Sequence, residues 1–171
     1  KWHVPHFEKM LYDNGQLVSL YANAYKRTKN PLYHEVIEKT LDFVSREWLT
    51  PEGAFYSALD ADSLDGENHL EEGAFYVWTK PELERLIGND FVVFAQVFNI
   101  NDFGFWENGH YVLIQDEALE IIANRNKMAL SELQSKKKNW EQILFSEREK
   151  RHKPRLDDKC RTSWNAIMAK G

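Results

Sequence analysis

Between positions 60 and 72 the chain gathers six acids, Asp60, Asp62, Asp65, Glu67, Glu71 and Glu72, with no Lys or Arg among them. The tetrapeptide Gly-Ala-Phe-Tyr flanks this stretch twice, at 53–56 and at 73–76. Two chemistries use carboxylates at such density. Glycoside hydrolysis needs a carboxyl pair, about 5 Å apart for retention and about 6.5–9.5 Å for inversion. A calcium loop of the EF-hand kind needs oxygens at its positions 1, 3 and 5, glycine at 6 and glutamate at 12. Counted from Asp60, the sequence supplies Asp62 at the third place and Glu71 at the twelfth, but Leu64 at the fifth and Asp65 at the sixth. Two diagnostic positions fail, so no metal is expected. If 53–60 and 72–79 pair as an antiparallel hairpin, with Phe55 and Phe75 on the core side, then Asp60, Asp62 and Glu72 converge at its mouth. The competing reading is that strand-end carboxylates cap backbone N–H groups. Asp65, Glu67 and Asn68 suit a solvated connection.

Two further stretches carry chemistry. "WHVPHFEKMLYDN" (2–14) supplies His3, His6, Glu8 and Asp13. His6, just ahead of a long helical pattern, is a candidate base, because a helix N-terminus keeps a nearby imidazole neutral. A structural histidine is the alternative, more so for His3. "DDKCRTSWN" (157–165) sets Asp158, Trp164 and Asn165 near a helix start. Trp164 can stack on a sugar's apolar face while Asp158 and Asn165 bond its hydroxyls. The same residues also read as a helix cap and a core tryptophan. Tyr56 and Trp78, in and just after the two Gly-Ala-Phe-Tyr copies, complete the candidate substrate contacts.

The elements that must position these groups are mostly helical. Apolar residues at spacings of three and four predict a helix over 7–28, stopped by "TKNP", and a second over 32–49, together an antiparallel helical hairpin. The segments 53–60 and 72–79 read as short aromatic strands. Thr79, Pro81 and Gly88 frame a helix over 80–88. A short helix is expected over 90–98. Asn108-Gly109 between apolar runs marks a β-hairpin within 103–114. Residues 116–126 and 129–153 form another helical pair, and Asp157 or Asp158 is expected to cap a terminal helix.

Composition narrows the classes. With 171 residues, 43% of them apolar and 13% aromatic, the chain is long enough to bury a core. No run of 18 apolar residues occurs, so no membrane partner is expected. Net charge is −5, and ten Lys/Arg against six acids at 129–161 alternate in sign, the pattern of a solvated helix face and not of a nucleic-acid surface. Cys160 is the single cysteine, which rules out an internal disulfide and a CxxC motif and is compatible with a reducing, cytoplasmic compartment. The chain starts on Lys1 and stops soon after "TSWNAIMAK", so it reads as a piece of a longer protein. Trp164, Ile167 and Met168 then begin an apolar face with few partners, which predicts fraying or self-association.

Four motifs in order, "WHVPHFEKMLYDN", "GAFYSALDADS", "EEGAFYVWT" and "DDKCRTSWN", resemble the DUF255 family of thioredoxin-domain-containing proteins, similar to spermatogenesis-associated protein 20 and the bacterial YyaL proteins. The resemblance implies a mainly α fold, part of an (α/α)6 toroid built of helical hairpins, with short antiparallel β-hairpins at the junctions. Such a toroid is similar to the six-hairpin glycosidases and to N-acylglucosamine 2-epimerase, and in this family it follows a thioredoxin-like domain absent from residues 1–171. The implied function is carbohydrate processing, as isomerase, epimerase or glycoside hydrolase, with a sugar substrate, no cofactor, and the thioredoxin-like domain of the same protein as partner. The alternative is a non-catalytic module that holds a glycan or protein client. The candidate catalytic residues are His6, Asp60, Asp62, Glu72 and Asp158. An incomplete toroid leaves its cavity open, so this stretch alone is expected to fold without turnover.

Overall fold

The computed structural model describes residues 5–171; His3 lies outside the described residues. The fold is mainly α with short antiparallel strands. In chain order the elements are β1 (Lys9–Met10), α1 (Leu11–Thr28), α2 (Pro31–Trp48), β2 (Ala58–Leu59), β3 (Asp62–Leu64), β4 (Leu70–Glu72), β5 (Trp78–Thr79), α3 (Lys80–Ile87), α4 (Phe91–Val97), β6 (His110–Tyr111), α5 (Leu119–Arg125), α6 (Leu130–Arg148), β7 (Leu156–Asp157) and α7 (Thr162–Lys170). They fall into two compact units. One comprises Phe7–Asp62 with Pro154–Gly171; the other is Ser63–Lys153, to which His6 also belongs. Among the described residues no helix is long and apolar enough to cross a membrane.

In the first unit α1 and α2 form the expected helical hairpin. Lys29 takes a left-handed conformation (φ 56°), Asn30 caps α2 by accepting from the Leu32 N–H, and Pro31 supplies the preset first turn. Leu11 and Val18 on α1, Val44 and Trp48 on α2, Leu59 on β2 and Met168 on α7 make its core. Their four- and seven-residue spacings are those of one helix face. The terminal helix thus has a partner, against the expectation that its apolar face finds little to cover it: Met168 is buried and Trp164 packs on the same core. Neither Asp157 nor Asp158 caps α7. Arg161 holds the cap position without a side-chain bond, and Asp157 is a strand residue.

The second unit is built on Trp78, Leu83, Ile87, Phe94, Val97, Phe98, Ile122, Leu133, Trp140 and Leu144. Thr79 caps α3 through the Glu82 N–H, and Gly88 (φ 61°) ends it, both as the sequence indicates. The turn at Glu107–His110 has positive φ at Asn108 (48°) and Gly109 (77°), and the His110 N–H donates to the Glu107 carbonyl. That is the geometry Asn-Gly favours. Asp90, just before α4, accepts from Lys136 Nζ at 2.7 Å and from the buried Trp140 Nε1 at 3.3 Å. The Lys136 ammonium is the main reason its carboxyl lies below the usual carboxylate range. A depressed folded value means the unfolded chain binds the proton more readily, so this contribution is present above the unfolded pKa and is lost as pH falls through the folded one. Asp90→Ala, which also strands the indole N–H, is expected to cost about 1–2 kcal/mol at neutral pH. Asp90→Asn should cost less and flatten the acid limb of the stability profile. Equal stability of all three proteins in urea titrations at pH 7 would refute this assignment.

The paired-strand reading of the two Gly-Ala-Phe-Tyr copies is corrected. β2 pairs with β1 and β7, β3 pairs with β4, and β5 pairs with β6. The copies themselves lie outside these ladders. The first makes one bridge, Leu49 to Phe55, and the second is a turn in which the Tyr76 and Val77 N–H groups donate to the Gly73 carbonyl. Each copy is fastened by a distant side chain. Asn165 accepts from the Phe55 N–H (2.8 Å) and donates to the Phe55 carbonyl (2.9 Å), as a neighbouring strand would. Arg151 Nη1 donates to the carbonyls of Ala74 (3.2 Å), Phe75 (3.0 Å) and Val77 (2.7 Å).

Candidate functional site

The three-stranded sheet of the first unit carries the best-formed group of charged side chains. Lys9 faces Leu59 and Met10 faces Ala58 across β1 and β2; Ala58 faces Asp157 and Leu59 faces Leu156 across β2 and β7. One step beyond β2, the Asp60 N–H donates to the Arg155 carbonyl at 2.9 Å. Met10, Ala58 and Asp157 share one side of the sheet, and Glu8, Asp60 and Arg155, just beyond the strand ends, open on the same side. These six, with Leu156 and Lys159, line a cleft of about 400 Å³. Arg155 Nη2 lies 3.5 Å from Asp60 Oδ2, and Lys159 Nζ lies 2.7 Å from Asp157 Oδ1. The Lys159 ammonium holds the Asp157 carboxyl below its ordinary range. An arrangement of carboxylate acceptors alternating with cationic donors can bind a ligand rich in hydroxyl groups.

The other predicted residues distribute differently. Asp62 and Asp158 are exposed and outside this cleft, and Glu72, also exposed, belongs to the other unit. Because the expected hairpin does not form, Asp60 and Glu72 are not brought together by strand pairing. His6 is exposed, and β1 intervenes between it and α1, which begins at Leu11 and not at Phe7. The helix-terminus argument for a neutral imidazole loses its geometry with that shift.

The expected sugar-contacting groups serve the interior. Asn165 spends its amide on Phe55, and Nδ2 also donates to the Arg161 carbonyl. Trp164 meets Tyr12 edge-on at 4.8 Å, with the Arg161 guanidinium 5.0 Å from its ring centre. Tyr56 packs against the first unit's core. Trp78 is 3% exposed and lies under Arg151, whose guanidinium is 4.0 Å from the ring centre. None of these aromatics lines the sheet cleft, and among the described residues it has no aromatic stacking platform.

In the acidic loop Asp65 Oδ1 accepts from the Glu67 and His69 N–H groups, both at 2.8 Å. These backbone bonds, that to His69 foremost, lower its pKa. The carboxylate therefore shapes its own turn, in keeping with the solvated-connection reading. Among the described residues no group of three or more His, Cys, Asp or Glu is placed to hold a metal ion.

A second cleft, of about 520 Å³, lies within the unit Ser63–Lys153 and includes Glu71, His110, Arg151 and His152. The buried His110 Nδ1 there has no hydrogen-bond partner among the described residues. Sequence reasoning missed Arg155, Lys159, His110 and Arg151 as site residues. The one available signal was Arg155 and Lys159 on either side of an Asp pair, which reads equally well as surface charge.

No known protein-family profile matches the chain. Its full length is 32% identical to human spermatogenesis-associated protein 20 and 33% identical to the mouse protein of that name. It is 30% identical, again over its whole length, to an uncharacterized protein of Caenorhabditis elegans. The chain spans about a quarter of the length of these curated relatives, 24% of the human protein and 26% of the nematode one. The similarity over the whole of this chain fits a family of spermatogenesis-associated protein 20-like proteins.

Proposed function

We propose that this chain is part of a carbohydrate-processing α/α-toroid domain, acting as an isomerase, epimerase or glycoside hydrolase, within a protein that also carries a thioredoxin-like domain. The observation that supports it most is that Glu8, Asp60 and Arg155, at the strand ends of the β1-β2-β7 sheet, line one cleft. Acceptors beside donors are what a polyol needs, and two carboxylates lining one cleft are the minimum set for acid–base work on a sugar. The helical hairpin of α1 and α2 and the junction strands are compatible with the toroid.

A second reading is a non-catalytic module that holds a glycan or protein client for the redox domain. It is favoured by the pairing of Asp157 with Lys159, since a carboxylate held ionised accepts hydrogen bonds but donates no proton. Screening this chain and the longer protein against glycosides and against N-acylated and reducing sugars separates the two. Turnover confined to the longer protein, lost in Asp60→Asn without unfolding, is the expected result for the enzyme. Binding without turnover in either, retained in Asp60→Asn, would establish the module. No sugar bound by either protein would remove the carbohydrate reading altogether.

A further inference from the structure

Helix α1 carries two apolar stripes, and the first unit covers one of them. Leu11, Gly15 and Val18 are buried on the side that meets α2 and α7. Leu17, Leu20, Tyr21 and Ala24 keep the spacing i, i+3, i+4, i+7 and so line a second face. Leu17 is 45% exposed and Leu20 62%, while Tyr21 and Ala24 are partly covered. No charged residue stands among the four, and Gln16, Asn23 and Lys26 hold the polar side of the helix. Single exposed leucines need no explanation, but a stripe at helical spacing marks a face made to be covered.

The size of the stripe decides what covers it. From Leu17 to Ala24 it runs about 10 Å along the axis and one helix width across, a footprint on the order of 100 Å². A stable complex of separate molecules buries about 800 Å² on each partner, so a second copy gains too little here. A segment of the same polypeptide is held close at roughly millimolar effective concentration, and a contact of this size suffices to seat it. The chain spans 24% of the human relative and 26% of the nematode one, so most of their length lies outside it. Residues at this spacing form a ridge that fits the groove of another helix. We therefore propose that the Leu17–Ala24 face of α1 docks an amphipathic helix of the same longer protein, from outside residues 1–171. The proposal stands whether or not the sheet cleft takes a sugar.

The test is thiol alkylation of the longer protein, read peptide by peptide so that Cys160 and other thiols are told apart. Leu20→Cys should react about tenfold more slowly than Asn23→Cys on the polar side of the same helix, and the two should react alike in urea. Leu17→Cys repeats the measurement should Leu20→Cys fail to fold. Leu20→Lys should lower the melting temperature of the longer protein, and Asn23→Lys should leave it unchanged. A photoreactive side chain in place of Leu20 should then cross-link within one polypeptide, to a helix outside residues 1–171. Equal alkylation of the two cysteines in the folded protein would overturn the proposal. So would cross-links between isotopically distinct polypeptides, which would make the stripe a dimer surface, or cross-links confined to residues 63–153.

Discussion

Arg151→Ala is expected to be among the most damaging single changes in the unit Ser63–Lys153, costing about 2–4 kcal/mol. Its guanidinium meets the carbonyls of Ala74, Phe75 and Val77, both Glu82 oxygens at 3.0 and 3.1 Å, and the Trp78 ring. Breaking a fully buried ion pair from one side costs about 3–5 kcal/mol, since the remaining charge is stranded. Here the two side chains are 20% and 27% exposed, so water reclaims part of that. The lost carbonyl bonds and the bared indole act in the other direction. Arg151→Lys should recover less than half, because one ammonium cannot serve three carbonyls and a carboxylate in fixed directions. Glu82→Gln, which keeps hydrogen-bond acceptance, should be milder than either. Calorimetry alongside intrinsic tryptophan fluorescence would follow the unfolding. An Arg151→Ala protein within 1 kcal/mol of the parent would show that the 73–77 turn holds itself.

Arg151 also shows why some of this structure was legible in the sequence and some was not. Helices carry their evidence locally. Thr79, Pro81 and Gly88 bracket α3, Asn30 and Pro31 start α2, and Asn108-Gly109 turns the chain, all within a few residues of what they shape. The Gly-Ala-Phe-Tyr repeat is equally visible but was misassigned, because its geometry is set from far away. Asn165 reaches back 110 residues to Phe55, and Arg151 reaches 76 residues to Phe75. A strand-like composition signals partly buried aromatics and does not name their partner. The site followed the same logic. Asp60 was identifiable as a carboxylate at an element end, but Arg155 reaches it only through the pairing of β2 with β7, and Glu8 shares its cleft from the other end of the chain. Trp164 and Asn165 were read as ligand contacts from composition, and the interior claimed them.

The approach of α7 to α1 carries the other large expectation. Gly15 lies between Leu11 and Val18 on the buried stripe of α1, where a helix gains about 1 kcal/mol from alanine in place of glycine. On propensity alone Gly15→Ala should stabilise. A Cβ built at Gly15, however, falls 2.9 Å from both the Cα and N of Met168 and 3.0 Å from the carbonyl carbon of Ile167. These are backbone atoms of another helix, and no rotamer change moves them aside. Relief requires α7 to shift as a body, which unseats Met168 and strains the Asn165 bonds to Phe55. Overpacking of this kind costs about 1–3 kcal/mol, enough to reverse the propensity gain. Gly15→Ala is therefore expected to be net destabilising by about 1 kcal/mol, and Gly15→Leu to free α7 from α1. In hydrogen exchange the amides of 162–170 should lose protection in the Leu variant, with those near Phe55 following as the Asn165 bonds fail. An alanine variant as stable as the parent would mean that the two backbones have room to part, and that α7 is held by Met168 and Trp164 alone.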